Sequence, residues 1–197
     1  MPDPESTKQR IFEAAVEEFT EHGSAGARVD RIAAKAQANK ESIYRYYGTK
    51  DELLRRVIDE YLDQRGEELE PQERELPKYV SDLLEFHAKH PEFVRMSLWE
   101  ALEFGGEIDA DTFEHRRQHY ADKLASVEEQ QRAGLVDPDL DPRHLLAAIF
   151  GMADYWTALP QLLRLLFGRE VTEEDLAVHR EFLAECVRRI IAPPGDA

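Results

Sequence analysis

Between residues 28 and 50 stand six cations, Arg28, Arg31, Lys35, Lys40, Arg45 and Lys50, opposed only by Asp30 and Glu41. Ser42, Tyr44 and Tyr46 are interleaved with them. One short stretch thus offers ammonium and guanidinium groups for phosphates, polar groups for base edges, and phenols for phosphate oxygens. The chemistry such a set could do is non-covalent recognition of a polyanion; the alternative is a solvated charged face. The rest of the chain makes the local sign stand out. Residues 1–50 carry 8 basic and 8 acidic side chains, residues 51–197 carry 17 and 33, and the formal charge of −16 arises wholly after residue 50. A chain so charged is repelled by nucleic acid and anionic membranes except where a local face reverses the sign.

Other constellations do not assemble into a reactive centre. His115 and His119 lie four apart beside Glu114, and His87 and His90 lie three apart, but neither pair has Cys partners. The run HRRQH also lacks the Glu that follows the first His of a zinc peptidase motif. Asp137, Asp139 and Asp141 alternate like the start of a calcium loop. Pro142 then stands where Gly is needed, and Ala148 where the closing Glu belongs. No phosphate-cradling Gly-rich loop, nucleophile elbow or paired-carboxylate motif occurs. The sequence therefore predicts no catalytic residue, no metal, no cofactor and no enzyme. Cys186 has no second cysteine to pair with, MPDPESTKQR lacks a signal-peptide core, and no run approaches ~18 apolar residues. The expectation is a soluble cytoplasmic protein with no membrane partner.

The elements that must position the cationic stretch read as helices. Strand alternation is absent, and apolar residues recur at helical spacing almost throughout. Ser6 or Thr7 is a candidate cap for a first helix with Ile11, Ala15 and Phe19 on one face, stopped at His22-Gly23. Ser24 to Ala27 reads as a loop. Val29, Ile32, Ala33 and Ala36 define a short second helix. Asn39 caps a third, Lys40 to about Tyr46, anchored inward by Ile43 and Tyr47. Thr49 with Glu52 forms a capping box for a helix from Asp51 to about Gln64. Longer helices follow over roughly 76–90, 91–104, 110–134, 142–168 and 172–192. Pro160 is expected to kink or split the 142–168 helix, and Thr172 with Asp175 to open the last one. The fold class is all-α, with about nine helices. An N-terminal three-helix domain spans 1–50, and a helical domain spans 51–197.

Two short helices joined by a tight turn form a helix-turn-helix, whose second helix enters the major groove. At this point the chain resembles a known family. The pattern Ile11-x2-Ala14-Ala15-x3-Phe19-x3-Gly23, then Val29-x2-Ile32-Ala33-x2-Ala36-x5-Ser42-Ile43-Tyr44-x-Tyr46-Tyr47-x2-Lys50-x2-Leu53-Leu54, is similar to that of the TetR family of transcriptional regulators. The resemblance covers about residues 7–54. It implies that Tyr44, Lys50 and the start of the 29–36 helix, at Arg28, hold phosphates. Lys40, Glu41, Ser42, Arg45 and Tyr46 would face the groove. Three positions depart from the family pattern: Gln37 replaces a usual Gly in the turn, Glu41 a usual small residue, and Arg28 or Val29 a usual hydroxyl.

The resemblance further implies that the C-terminal region dimerises and encloses a ligand. The last two long helices carry Leu145, Leu146, Ile149, Phe150, Leu159, Leu162, Leu163, Leu166, Leu176, Phe182, Leu183, Val187 and Ile190. This is more apolar surface than one thin helical layer buries, which predicts a four-helix interface with a second copy; the alternative is that it completes a monomer core. Phe86, Phe93, Met96, Trp99, Phe104, Phe113, Tyr120, Tyr155 and Trp156, with His90 and Glu100 beside them, are candidates for lining a pocket or for filling the core. Their composition points to an apolar or aromatic effector. The expected partners are a double-stranded operator, a second copy of the chain and that effector. Two other readings stay open: a helical small-molecule-binding protein or enzyme without specific DNA binding, and an interaction protein acting through its apolar last helices.

Overall fold

The computed structural model describes residues 4–65 and 75–193, and all its regular elements are helices. In chain order they are α1 (Pro4–Gly26), α2 (Val29–Lys35), α3 (Lys40–Tyr47), α4 (Lys50–Arg65), α5 (Leu76–Lys89), α6 (Pro91–Phe104), α7 (Ala110–Arg132), α8 (Pro142–Ala158), α9 (Pro160–Phe167) and α10 (Glu173–Ile191). The described residues thus hold one helix more than the nine expected. Pro160 divides the 142–168 segment into α8 and α9, because proline can begin a helix but cannot donate within one.

The chain divides into two compact units, 1–65 with 92–113 and 66–91 with 114–197. The sequence boundary after residue 50 falls at the first residue of α4, inside the first unit. In that unit α1 packs on α2 and α4, α2 on α3, and α3 on α4. Ile11, Ala15 and Phe19 of α1, Ile32 of α2, Ile43 and Tyr47 of α3, and Leu53, Leu54 and Val57 of α4 are fully buried. Full burial of the larger of these side chains contributes roughly 1.5–3 kcal/mol each, so the short α2 and α3 owe their stability to this core rather than to length. In the second unit α5 lies against α8 and α10, with Tyr79, Val80, Leu84, Ile149, Ala153 and Val187 at the centre.

Local chemistry explains several helix ends. Thr172 accepts from the Asp175 amide while Asp175 accepts from the Thr172 amide, so both ends of that capping box are made. At the N-terminus the structure corrects the capping expectation. α1 already includes Pro4, and Ser6 and Thr7 lie inside its first turns, where their hydroxyls accept from the Arg10 guanidinium at 2.9 and 3.2 Å. Arg10 also donates through Nε to the Ala36 carbonyl at 2.9 Å, which ties α1 to the end of α2. The helical path of α1 breaks at Gly23 (φ 67°, ψ 178°), as the sequence stop implied, but Ser24–Gly26 continue as a further turn rather than a loop.

Candidate nucleic-acid interface

The turn between α2 and α3 is built from backbone hydrogen bonds. Gln37 N–H donates to Ala34 O at 3.3 Å and Ala38 N–H to Ala33 O at 3.0 Å. This pair of bonds is a Schellman motif, which requires a left-handed residue at its centre. Gln37 adopts φ 50° to make it. Replacing the usual Gly has therefore kept the turn geometry at a conformational cost. We expect Gln37→Gly to stabilise the protein by roughly 0.5–1 kcal/mol, partly offset by the greater freedom of glycine in the unfolded chain. Thermal melts would show it as a raised Tm; a lowered Tm would mean that the Gln37 side chain carries an interaction outweighing its backbone strain.

Asn39 follows as the N-cap of α3, its Oδ1 accepting from the Ser42 amide at 2.7 Å. At the other end, Arg56 of α4 donates to the Tyr46 carbonyl at 3.0 Å. Thr49 and Glu52 then complete the expected capping box, with bonds of 2.7 and 3.2 Å. The Thr49 amide holds the Glu52 carboxyl below its ordinary range. Ile43 and Tyr47 point into the core, and the Tyr47 phenol donates to Glu60 at 3.0 Å; burial first, then the Glu60 charge, pushes that phenol well above its ordinary value.

This anchoring decides which residues α3 presents. Lys40, Glu41, Tyr44 and Arg45 are exposed, Tyr44 at 51%, while Ser42 and Tyr46 are half-buried. Arg45 lies over the Tyr46 ring at 4.7 Å and donates to its hydroxyl at 3.1 Å, so one cation and one phenol form a single polar unit. Arg28 is exposed at the N-cap of α2. Lys50 is half-buried and its ammonium donates to the Ser24 carbonyl at 2.8 Å, so it also joins α4 to the end of α1.

Sequence reasoning missed the carboxylate that holds this assembly. Glu18, 7% exposed, accepts the Arg28 backbone N–H at 2.8 Å and the Arg31 Nε at 2.8 and 3.1 Å. Arg31 in turn donates to the Gly26 carbonyl at 2.7 Å. Burial pushes the Glu18 carboxyl up, yet the Arg31 hydrogen bond, the Arg28 amide and the charges of Arg31 and His22 together hold it below its ordinary value. The only signal in the sequence was an acidic residue just before Phe19 on the buried side of an amphipathic helix.

The candidate pocket residues divide between the units. In the first, Phe93 stacks on Tyr61 at 5.3 Å, Met96 is fully buried, Trp99 lies against Gly23, and Phe104 sits under Arg55 at 4.3 Å. Glu100 is half-buried and Phe113 exposed. In the second, Phe86 packs on His90 at 4.7 Å, Tyr120 meets Phe150 edge-on at 5.7 Å, Trp156 stacks on His179 at 4.7 Å, and Tyr155 is half-buried. A cleft of about 420 Å³ in this unit is lined instead by Leu124, Glu128, Gln131 and the 138–143 segment.

Of the residues assigned to a dimer interface, Leu146, Leu163 and Leu183 are already buried within the chain itself. Phe150 and Leu176 are half-buried. Leu159, Leu166 (70%), Phe182 (59%) and Ile190 remain exposed, joined by Leu165 and Val178, which the sequence reading had not included.

Comparison with known proteins agrees with this architecture. Residues 11–57 match the model of bacterial regulatory proteins of the tetR family, and residues 75–189 match that of the tetracyclin repressor-like C-terminal domain. The chain is 39% identical over 190 residues to the HTH-type transcriptional repressor SCO4008 of Streptomyces coelicolor, covering 96% of this chain and 97% of that protein. It is 29% identical over 106 residues to the HTH-type transcriptional repressor NicS of Pseudomonas putida, about half of each chain. Among solved structures, SCO4942 of Streptomyces coelicolor, a candidate transcriptional regulator, superposes with a TM-score of 0.77 at 33% identity over 94% of this chain and 98% of its own. FadR of Bacillus subtilis, solved in complex with stearoyl-CoA, shares the fold, with a TM-score of 0.67 at 19% identity over 93% and 99% of the two chains.

Proposed function

The chain belongs to the TetR family of bacterial transcriptional regulators, and on that premise we propose that it is a repressor that binds a near-palindromic operator as a homodimer and releases it when a small molecule occupies its helical C-terminal region. It is a DNA-binding transcriptional regulator. One observation carries the finer reading. A recognition helix buried on one side through Ile43 and Tyr47 presents Lys40, Glu41, Tyr44 and Arg45 on the other, in a chain that is otherwise strongly acidic. SCO4008 and NicS are both named repressors, which supports the sign of regulation. A regulator of this kind acts on DNA in the cytoplasm and needs no catalytic group. Among the described residues, no helix is long and apolar enough to cross a membrane.

Dimerisation would cover Leu159, Leu165, Leu166, Val178, Phe182 and Ile190, a set of apolar side chains costly to leave in water. Two recognition helices would then meet successive major grooves about 34–36 Å apart or wider. Helix α6 shares a unit with the reading head: Tyr61 of α4 donates to Glu92 at 2.6 Å and stacks on Phe93. An effector that displaces α6 would displace α3 with it, provided it binds the two arrangements unequally. The aromatic candidates Phe86, Tyr155 and Trp156 favour an apolar or aromatic effector.

Phosphate and base contacts separate by mutation. Tyr44→Phe and Lys50→Ala should weaken operator and random DNA alike, and loss of the Lys50 cation should lower the salt slope by about 0.9. Changes at Lys40, Glu41 or Arg45 should alter sequence preference instead. Equal effects of both groups on both DNAs would contradict that division. The test of the whole reading is fluorescence anisotropy with fragments flanking the protein's own gene, against random DNA, at two salt concentrations. Salt-sensitive preference for one fragment is the expected result. A folded dimer that prefers neither these fragments nor, in a selection from a genomic library, any other fragment over random DNA would overturn the reading and leave a helical ligand-binding protein.

A further inference from the structure

Lys40 opens the recognition helix, yet its ammonium is not directed only outward. It pairs with Asp30, in the first turn of α2, so that a carboxylate and an ammonium bridge the two helices of the reading head. Both side chains are more than half exposed. An ion pair this exposed adds little to folding stability. Its consequence lies at the DNA-facing surface, where one charge changes the number of phosphates the protein neutralises. Nearby cations are engaged in the same way: Lys35 with Glu17, and Arg31 with Glu18. Of these three, the Lys40 pair is the one that stands at the N-terminal end of the groove-entering helix, where base edges are met.

We propose that Asp30 is a specificity-determining residue: by holding the Lys40 ammonium, it restrains that cation from binding phosphates irrespective of sequence. The inference rests on the DNA-binding reading above. Random DNA offers Lys40 phosphates and base edges in no fitted register, and taking a phosphate means giving up Asp30 for a partner of similar strength in water. The operator also offers base edges beside the first turn of α3, and a fitted base contact offsets the loss. Asp30 therefore weakens random binding more than operator binding.

The experiment is Asp30→Asn, titrated against operator and random DNA over a salt series, alone and in a Lys40→Ala background. The side chain is exposed, and thermal melts would verify that the variant folds as the wild type does. Asp30→Asn is expected to tighten random DNA about five-fold at low salt and to steepen its salt slope by about 0.9. Operator affinity should rise by a smaller factor, so the ratio of the two falls. In the Lys40→Ala background the substitution should have little effect. Equal tightening of both DNAs, no change in either, or the same gain without Lys40 would overturn the inference, the last by showing that mere loss of a negative charge suffices. Failure of the wild type to distinguish operator from random DNA is a separate outcome, which overturns the regulator reading and this inference together.

Discussion

Glu18→Ala is expected to destabilise the N-terminal unit by roughly 2–3 kcal/mol and to reduce operator affinity more than any single exposed substitution on α3. The substitution strands two groups at once. The Arg28 amide loses its acceptor at the start of α2, and the Arg31 guanidinium loses the carboxylate that fixes it beside Gly26. Breaking a fully buried ion pair costs about 3–5 kcal/mol. Arg31 is 41% exposed, so water recovers part of its solvation and the expected loss falls below that range. Because α2 and α3 are too short to persist alone, loosening the start of α2 also loosens the angle at which α3 is presented. Chemical denaturation and operator titration on the same samples would check both effects. A variant as stable as the wild type would show that the carboxylate is dispensable for the fold.

The same carboxylate gives a pH dependence whose sign follows from its environment. Its folded pKa lies below the ordinary 4.5, so its contribution to stability is present above that pH and is lost as pH falls through the folded value. Glu18→Gln keeps the shape and removes the charge. The stability gap between wild type and Glu18→Gln should therefore be full near neutrality and close progressively below pH 4.5. A gap that stays constant into acid would assign the loss to shape rather than charge.

What the sequence made legible was local. Asn39, the Thr49–Glu52 box and the Thr172–Asp175 box act on amides three residues away, so the residue types alone announce them. Ile43 and Tyr47 declare an inward face by spacing. The resemblance to TetR regulators was also carried by these short-range patterns, and the matching of residues 11–57 follows them. Glu18 was not legible, since its partners lie 10 and 13 residues on, across a turn, and an acidic residue on a helix reads first as solvated. The bond from Lys50 to the Ser24 carbonyl spans 26 residues, and nothing in a lysine's type announces a backbone partner. Leu146, Leu163 and Leu183 show the same limit among apolar residues. Composition declares that a leucine is to be buried, not whether its own chain or a second copy buries it.

Gly23→Ala is expected to destabilise the first unit strongly. At φ 67° and ψ 178° the backbone lies where side chains are scarcely tolerated, a strain of about 1–3 kcal/mol. The new Cβ would also stand 2.8 Å from Trp99 Cε2 and 2.9 Å from Cζ2, against a rigid ring. Overpacking of that kind adds roughly 1–3 kcal/mol. Together they predict a loss of about 3–5 kcal/mol, a fall in Tm on the order of 10 °C. Trp99→Ala in the same chain separates the two causes. It should relieve the ring contact and leave the backbone strain, so the double variant should lose less than the sum of its single variants. Strict additivity would mean that Trp99 yields freely and the backbone carries the whole cost. The contact also joins the break in α1 to α6, within the unit that carries the recognition helix. A Trp99→Ala variant that binds operator normally but no longer releases it to any effector would place this contact on the path of release. One that loses operator binding outright would make it part of the reading head's framework instead.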